Sequence, residues 1–213
     1  MEFGMVDKHI MEFKKAIPDE VCDNLIDFFE LAKKKGKTHE GIIGDGRLNK
    51  EIKDSEDLSL TSFKELREEQ FMIIRGMYKC FLAYYIQHHG FNEKDGFIKG
   101  NRKQVMEAYK EYVKYYLVTD INMKKYKLDS GHYHYHDDLG SHNFRCSLRR
   151  FGFIIYFNDV DDGGETEFLF SNYKVKPEKG KIAIFPPFWT HTHRALPPIS
   201  NVKYSASSWF CLD

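Results

Sequence analysis

Residues 150–164 read Arg-Phe-Gly-Phe-Ile-Ile-Tyr-Phe-Asn-Asp-Val-Asp-Asp-Gly-Gly. The run Phe151–Phe157 is apolar, rich in aromatic and β-branched side chains, and too short for an ordinary helix. Asn158 to Gly164 then collects turn formers. This is the pattern of a buried strand over Arg150–Asn158, ended by the turn-rich Asp159–Gly164. Working outward, Glu165 to Phe170, Gly180 to Phe185 and Val202 to Phe210 repeat the same short apolar pattern between Gly, Pro and Asp signals. Several short strands spaced in this way predict a sandwich or barrel. Before about residue 115 the period changes. Pro18 opens a helical stretch with Val21, Leu25, Phe28, Phe29 and Ala32 on one face, closed by Lys33-Lys34-Lys35-Gly36. Pro at the start, cations in the last turn and Gly beyond it are helix punctuation. Further helices are expected from about Ser62 to His89 and from Arg102 to about Tyr112. The fold class is therefore α+β, with N-terminal helices packed on one side of the strands. The chain reads as a single domain over 1–213, with 1–114 mainly helical support and 115–213 the part bearing chemistry.

Four of the ten histidines fall between Gly131 and His142. In a strand over Gly131–Asp138, alternation sets His132, His134, His136 and Asp138 on one face and Tyr133, Tyr135 and Asp137 on the other. His136 and Asp138 form a His-x-Asp, and a distal histidine could reach the same point from a neighbouring strand. Two imidazoles and one carboxylate on one face leave coordination positions open on an iron(II) ion. A His-x-Asp alone arises by chance in many sequences of this length, so its context decides.

The bulk numbers limit the classes of function. Lys+Arg and Asp+Glu are equal at 32 each, so no net field draws the chain to nucleic acid or an anionic membrane. An apolar share of 42%, with 18 Phe and 13 Tyr, fits a globular core and excludes a disordered chain. Cys22, Cys80, Cys146 and Cys211 lie far apart without a Cys-x-x-Cys, which disfavours zinc ribbons and thioredoxin-like chemistry. The opening residues are too charged for a signal-peptide core, and no apolar run reaches the roughly 18 residues of a membrane span. A cytoplasmic protein with free thiols is expected.

The context after residue 115 resembles the Fe(II)- and 2-oxoglutarate-dependent dioxygenases, within them the prolyl 4-hydroxylase-like branch. The blocks that carry the resemblance are His136-Asp137-Asp138, Tyr156-Phe157-Asn158-Asp159, Gly163-Gly164-Glu165-Thr166 and Pro177-Glu178-Lys179-Gly180. His193, Pro197 and Lys203 complete the order. His191 competes with His193 for the distal position, but Lys203 lies ten residues after His193, which is the family spacing. His191 is then a neighbour on the same side.

The resemblance implies a double-stranded β-helix, the jelly-roll or cupin-like barrel. It implies iron held by His136, Asp138 and His193, with 2-oxoglutarate and O2 as co-substrates and ascorbate as a further cofactor. Lys203 would pair with the distal carboxylate of 2-oxoglutarate, Tyr126 would hydrogen-bond it, and Ser205, in phase with Lys203, would donate a second hydrogen bond. The expected reaction hydroxylates a C–H bond, with a prolyl residue as one acceptor, and releases succinate and CO2. Tyr133 is expected in the core, and Arg149 and Arg150 at a solvated strand end. The acceptor could be a peptide, a protein or a small molecule, and the motifs leave the oligomeric state unread. The span 39–57, with Gly41, Gly44 and Gly46, reads as an active-site lid or a plain surface loop. Acceptor specificity would reside there and in the loop from Asp137 to Asn143. Two other classes compete: a cupin-like metalloprotein that does not use 2-oxoglutarate, and a silent binding module on the same barrel.

Overall fold

The computed structural model describes residues 3–7, 9–44, 46–89, 102–140 and 144–213. In chain order its elements are β1 (Phe3–Asp7), β2 (Ile10–Phe13), α1 (Asp19–Lys34), β3 (His39–Glu40), β4 (Lys53–Asp54), β5 (Glu56–Ser59), α2 (Arg67–His89), α3 (Arg102–Val113), β6 (Tyr116–Val118) and β7 (Asn122–Tyr126). There follow β8 (His132–His136), α4 (Phe144–Ser147), β9 (Arg149–Tyr156), β10 (Thr166–Phe168), β11 (Tyr173–Val175), β12 (Ile182–Phe185), β13 (His193–Ala195) and β14 (Lys203–Leu212).

Among the described residues the strands form two antiparallel sheets. The larger runs β1-β2-β12-β9-β14-β7-β5-β3, with β6 also on β14, and the smaller runs β11-β10-β13-β8-β4. The sequence of β9 explains how the layers assemble. Phe153, Ile155 and Phe157 join a large apolar cluster with Phe29, Ile73, Met77 and Phe81 of α1 and α2. Tyr156 turns the other way, into a second cluster with Phe168, Val175, Ala183 and Phe185 between the two sheets. Its neighbour β12 divides identically, Ile182 and Ile184 toward the helices and Ala183 and Phe185 toward the smaller sheet. A strand buried on both faces has no polar alternation, which is why 151–157 is continuously apolar. The observed architecture is the double-stranded β-helix arrangement with helices against the outer face of its larger sheet.

Helix α1 ends as its sequence predicts. Gly36 adopts φ +63°, the Gly36 N–H donates to the Lys33 carbonyl, and the Lys37 N–H donates to the Ala32 carbonyl. Those two bonds are the Schellman pattern, and the positive φ favours Gly there. Helix α2 starts later than expected. Residues 60–66 instead form two 3-10 turns, tied to the helix by Gln70 Nε2 donating to the Leu60 and Phe63 carbonyls.

The N-terminal part also holds strands that the sequence hid. β2 contributes Ile-Met-Glu-Phe to the larger sheet, with Glu12 neutralised by Lys181 at 2.6 Å. β5 is Glu-Asp-Leu-Ser, an unpromising strand by composition, and its buried Asp57 pairs with Lys53 at 2.6 Å. Local propensity loses to tertiary pairing in both. The span 39–57 is consequently not structureless. It contains β3, β4 and the start of β5, and an antiparallel bridge between Ile42 and Leu48 folds its middle into a hairpin.

Candidate metal centre

His136 ends β8 and His193 opens β13, and the two residues face each other in the antiparallel pairing. Their ring centroids lie 4.5 Å apart. Asp138 follows two residues after His136, its backbone N–H donating to the Pro187 carbonyl at 3.1 Å. One ligand atom from each of the three falls within 4.8 Å of the others, and Asp138 Oδ1 is 3.9 Å from His136 Nε2.

The imidazoles are oriented by carbonyls, which can only accept. His136 Nδ1–H donates to the His134 carbonyl at 2.7 Å, and His193 Nδ1–H donates to the His191 carbonyl at 3.0 Å. Each ring therefore presents the Nε2 lone pair to the shared point, as a metal ligand must. Burial, then the neighbouring His193, pushes the His136 pKa down to about 3, so the ring is neutral at physiological pH. Burial alone would raise the Asp138 carboxyl, but His193 and His136, followed by Trp209 and Arg149, outweigh it and hold the group below its ordinary value. Two imidazoles and one carboxylate on one side make a donor set that fits a divalent iron. Gly152 makes room for it: a Cβ there would meet Phe185 at 3.0 Å and Asp138 Oδ2 at 3.2 Å.

The three groups open onto a cavity of about 270 Å³. Lys203, at the first position of β14, reaches into it and is 1% exposed. Its placement follows from the turn after β9. Asn158 Oδ1 accepts the Tyr204 N–H at 2.7 Å while its Nδ2 donates to the Asp159 and Val202 carbonyls, so one side chain fastens the start of β14. The Gly163-Gly164 turn uses φ of +71° and +73°, and the Gly164 carbonyl accepts from Lys203 Nζ at 2.8 Å. Tyr126, paired with Lys203 across β7 and β14, lies with its ring 4.2 Å from Nζ. Among the described residues no carboxylate reaches Lys203 Nζ within ion-pair distance, and burial pushes its pKa down to about 7. A buried ammonium without a counter-ion is matched by an anionic ligand. Ser205, 6% exposed, lines the same cavity.

Three expectations change. Tyr133 is not apart from the ligands: its ring stacks on His136 at 3.7 Å and lines the cavity. The cause is a bulge. His193 pairs with His136 but Ala195 pairs with Tyr133, so the four residues Tyr133–His136 of β8 span the three residues His193–Ala195 of β13. The extra residue breaks the alternation and brings Tyr133 and His136 to one side. Arg149 is not at a solvated end either, since it stacks on Trp209 at 3.6 Å, donates to the Asp138 carbonyl at 2.5 Å and lines the cavity. Arg150 does bond locally, to the Ser147 carbonyl at 2.8 Å. His191 is buried with Nδ1 2.9 Å from Thr190 Oγ1, and meets His193 through its backbone carbonyl. The hairpin in 39–57 contributes Ile42, Ile43 and Gly44 to the cavity wall. Of the other specificity segment, Ser141 to Asn143 lie outside the described residues. Thr166, the last residue of the Gly163–Thr166 block, lines the cavity, and so do Lys53, Lys124 and Trp209, which no motif had marked.

Comparison with known proteins agrees with this geometry. Residues 121–211 match the family model described as 2OG-Fe(II) oxygenase superfamily. Among solved structures, the viral collagen prolyl hydroxylase of Paramecium bursaria Chlorella virus-1, in its 2OG complex, aligns with TM-score 0.65 at 22% identity, over 99% of this chain and all of that one. A Pseudomonas putida prolyl-4-hydroxylase aligns with TM-score 0.62 at 14% identity, over 95% and 93% of the two chains. The Trichoplax adhaerens prolyl hydroxylase in complex with a hypoxia inducible factor peptide gives 0.64 at 14%, over 96% and 84%. At these identities the likeness is one of fold. No curated protein matches the chain. Residues 121–211 thus match the 2OG-Fe(II) oxygenase superfamily, and the match supports a 2-oxoglutarate-dependent dioxygenase that uses Fe(II) and O2.

Proposed function

We propose that His136, Asp138 and His193 are the iron ligands, that Lys203 anchors the distal carboxylate of 2-oxoglutarate, and that the acceptor is a prolyl residue of a peptide or protein. The observation that carries the reading is the meeting of the two oriented Nε2 atoms and the Asp138 carboxylate beside a buried, unpaired Lys203. When bound, iron supplies oxidative decarboxylation of 2-oxoglutarate to succinate and CO2, coupled to hydroxylation of an acceptor C–H bond.

The chain's own residues bind and orient. Tyr126 and Ser205 serve the co-substrate: the Tyr126 ring supports the Lys203 ammonium, and the Ser205 hydroxyl donates to the same carboxylate. The His134 and His191 carbonyls keep the imidazoles turned toward the metal. The near-complete burial of Asp138, His193 and Lys203 keeps bulk water from the reacting centre. Support for a prolyl acceptor comes from the prolyl hydroxylases of like fold and from the cavity wall. Tyr133 and Trp209 offer flat faces and Arg149 offers N–H donors, a lining suited to a pyrrolidine ring flanked by peptide carbonyls. We place residues 1–213 in one domain, its N-terminal elements completing the sheets and 115–213 bearing the chemistry. The described residues include no helix long and apolar enough to cross a membrane. The four cysteines are free, which suits a cytoplasmic setting.

The test is an anaerobic titration of the apo protein with Fe(II) and then 2-oxoglutarate, following the visible charge-transfer band of the chelate. The band is expected in the parent and weakened in Lys203→Ala. Metal binding with no band would overturn the co-substrate assignment. Proline-rich peptides incubated with the loaded protein are then expected to gain one oxygen by mass spectrometry.

A further inference from the structure

Lys203 is not alone. Lys124, on β7, is 7% exposed and lines the same cavity. The register of the two strands fixes the relation between them. Lys203 pairs with Tyr126 and Lys124 with Ser205, so the lysines are diagonal neighbours on one face of the sheet. Diagonal side chains start about 7–8 Å apart, the length scale of a five-carbon dicarboxylate.

Their heads diverge. Lys203 Nζ turns to the Gly164 carbonyl. Lys124 Nζ turns the opposite way along β14, donating to Ser207 Oγ at 2.5 Å and to the Asn122 carbonyl at 3.1 Å. Trp209 lies two residues beyond Ser207 and faces Asp138, so Lys124 points to the end of the cavity where the metal ligands meet. The charges that reach each lysine differ: Asp57 and Asp138 act on Lys124, opposed by Lys53 and Arg149, whereas Glu165 acts on Lys203, opposed by Lys124.

The third buried lysine of the wall shows what is missing. Lys53 has its own carboxylate, Asp57, at 2.6 Å. Among the described residues neither Lys124 nor Lys203 has one, only hydroxyl and carbonyl partners. Two buried ammoniums without counter-ions, one at each end of a slot, need a ligand with an anion at each end.

We propose that Lys124 is a second co-substrate anchor, binding the carboxylate next to the keto group of 2-oxoglutarate while Lys203 holds the distal one. The inference rests on the reading given under Proposed function. Binding is measured calorimetrically with Mn(II) in place of iron, using 2-oxoglutarate and pyruvate, which keeps the keto acid end and lacks the distal carboxylate. Lys124→Met and Lys124→Gln are expected to weaken 2-oxoglutarate ten- to hundredfold, the range of one charge-assisted hydrogen bond, and Lys124→Arg to restore most of the loss. Lys124→Met is expected to weaken pyruvate by the same factor, whereas Lys203→Met weakens 2-oxoglutarate and spares pyruvate. Both methionine variants are checked for folding by thermal melts, and the glutamine variant carries the test if methionine fails to fold. Binding of 2-oxoglutarate within twofold of the parent in Lys124→Gln overturns the inference alone, leaving the metal and Lys203 assignments intact. A loss confined to 2-oxoglutarate, with pyruvate unchanged, also overturns it, because Lys124 would then serve the distal end. A parent that binds Mn(II) but not 2-oxoglutarate overturns the underlying reading as well.

Discussion

Replacing Lys203 with methionine is expected to strengthen the fold while disabling the site. The ammonium is buried, and burial lowers its pKa from an ordinary 10.5 to about 7. Because the native value is depressed, the unfolded chain binds more protons between about pH 7 and 10.5, and stability rises with pH across that window. Below about pH 7 the lysine is charged in both states and the full penalty applies, about 5 kcal/mol at 1.36 kcal/mol per pH unit. Methionine removes that penalty but leaves the Gly164 carbonyl without its donor, worth about 1–3 kcal/mol, and forfeits the contact with the Tyr126 ring, worth up to about 2 kcal/mol. A net gain of about 2 kcal/mol follows, or about 4–8 °C in Tm for a chain of this size. The assay is urea and thermal denaturation of metal-free, co-substrate-free protein from pH 6.5 to 9.5. Tyrosines with raised pKa values begin to complicate the curve above that range. Lys203→Met should melt higher at pH 6.5, lose that advantage as pH rises and fall below the parent by pH 9.5, keeping only the smaller slope from Lys124, whose pKa is pushed down to about 8. A variant that melts below the parent at pH 6.5, or whose offset does not change with pH, would refute the reasoning. The same variant should show a weakened 2-oxoglutarate chelate.

Other perturbations read different parts of the site. His136→Ala or Asp138→Ala should abolish Fe-dependent turnover and lower Mn(II) affinity at least tenfold by calorimetry, and undiminished activity in either would remove the ligand assignment. Asp57→Asn leaves the Lys53 ammonium buried beside an amide, and a loss of about 3–5 kcal/mol is expected in urea denaturation. The double variant Lys53→Met/Asp57→Leu should recover most of it, since removing both charges removes the unpaired one. Gly152→Ala puts a methyl against Phe185 and the Asp138 carboxylate, so metal affinity should fall tenfold or more while stability falls by only about 1–3 kcal/mol. Equal Mn(II) affinity in Gly152→Ala and the parent would mean that Asp138 has room to move aside.

The architecture was legible where sequence and fold obey the same local rule. The apolar run 151–157 announced a buried strand, and the helix ended by Gly36 did so through backbone geometry that Gly favours. The meeting of His136, Asp138 and His193 was legible because a His-x-Asp and a distal His occupy strand ends, where spacing translates into position. What stayed hidden depends on partners distant in sequence. β5 is a strand because β7 and β3 pair with it, and Asp57 can be buried there only because Lys53 arrives from β4. Tyr133 was misread for a different reason. Strict alternation is the right rule for a regular strand, and β8 has an extra residue that nothing in His-Tyr-His-Tyr-His discloses. Arg149 was misread because a charged residue at a strand start is usually solvated, and only the fold shows Trp209 beneath it.

The bulge in β8 and the staple at Asn158 together determine what kind of site this fold can offer. The bulge turns Tyr133 onto His136 without disturbing the pairing of His136 with His193, so that end of the cavity gains an aromatic wall while the two histidines stay in register. At the far end, Asn158 ties the last residues before β14 to the turn after β9, and through them fixes the first residue of β14, Lys203, against Gly164. Neither device lies within hydrogen-bond reach of the other, yet both act on strands of one barrel, so the separation between the His136–His193 pair and Lys203 is set by strand register. Backbone hydrogen bonds hold that register far more stiffly than a flexible lysine chain holds its own tip. A ligand spanning the two ends is therefore measured by the β-sheet itself, and a keto acid one carbon shorter should lose affinity out of proportion to the methylene it lacks.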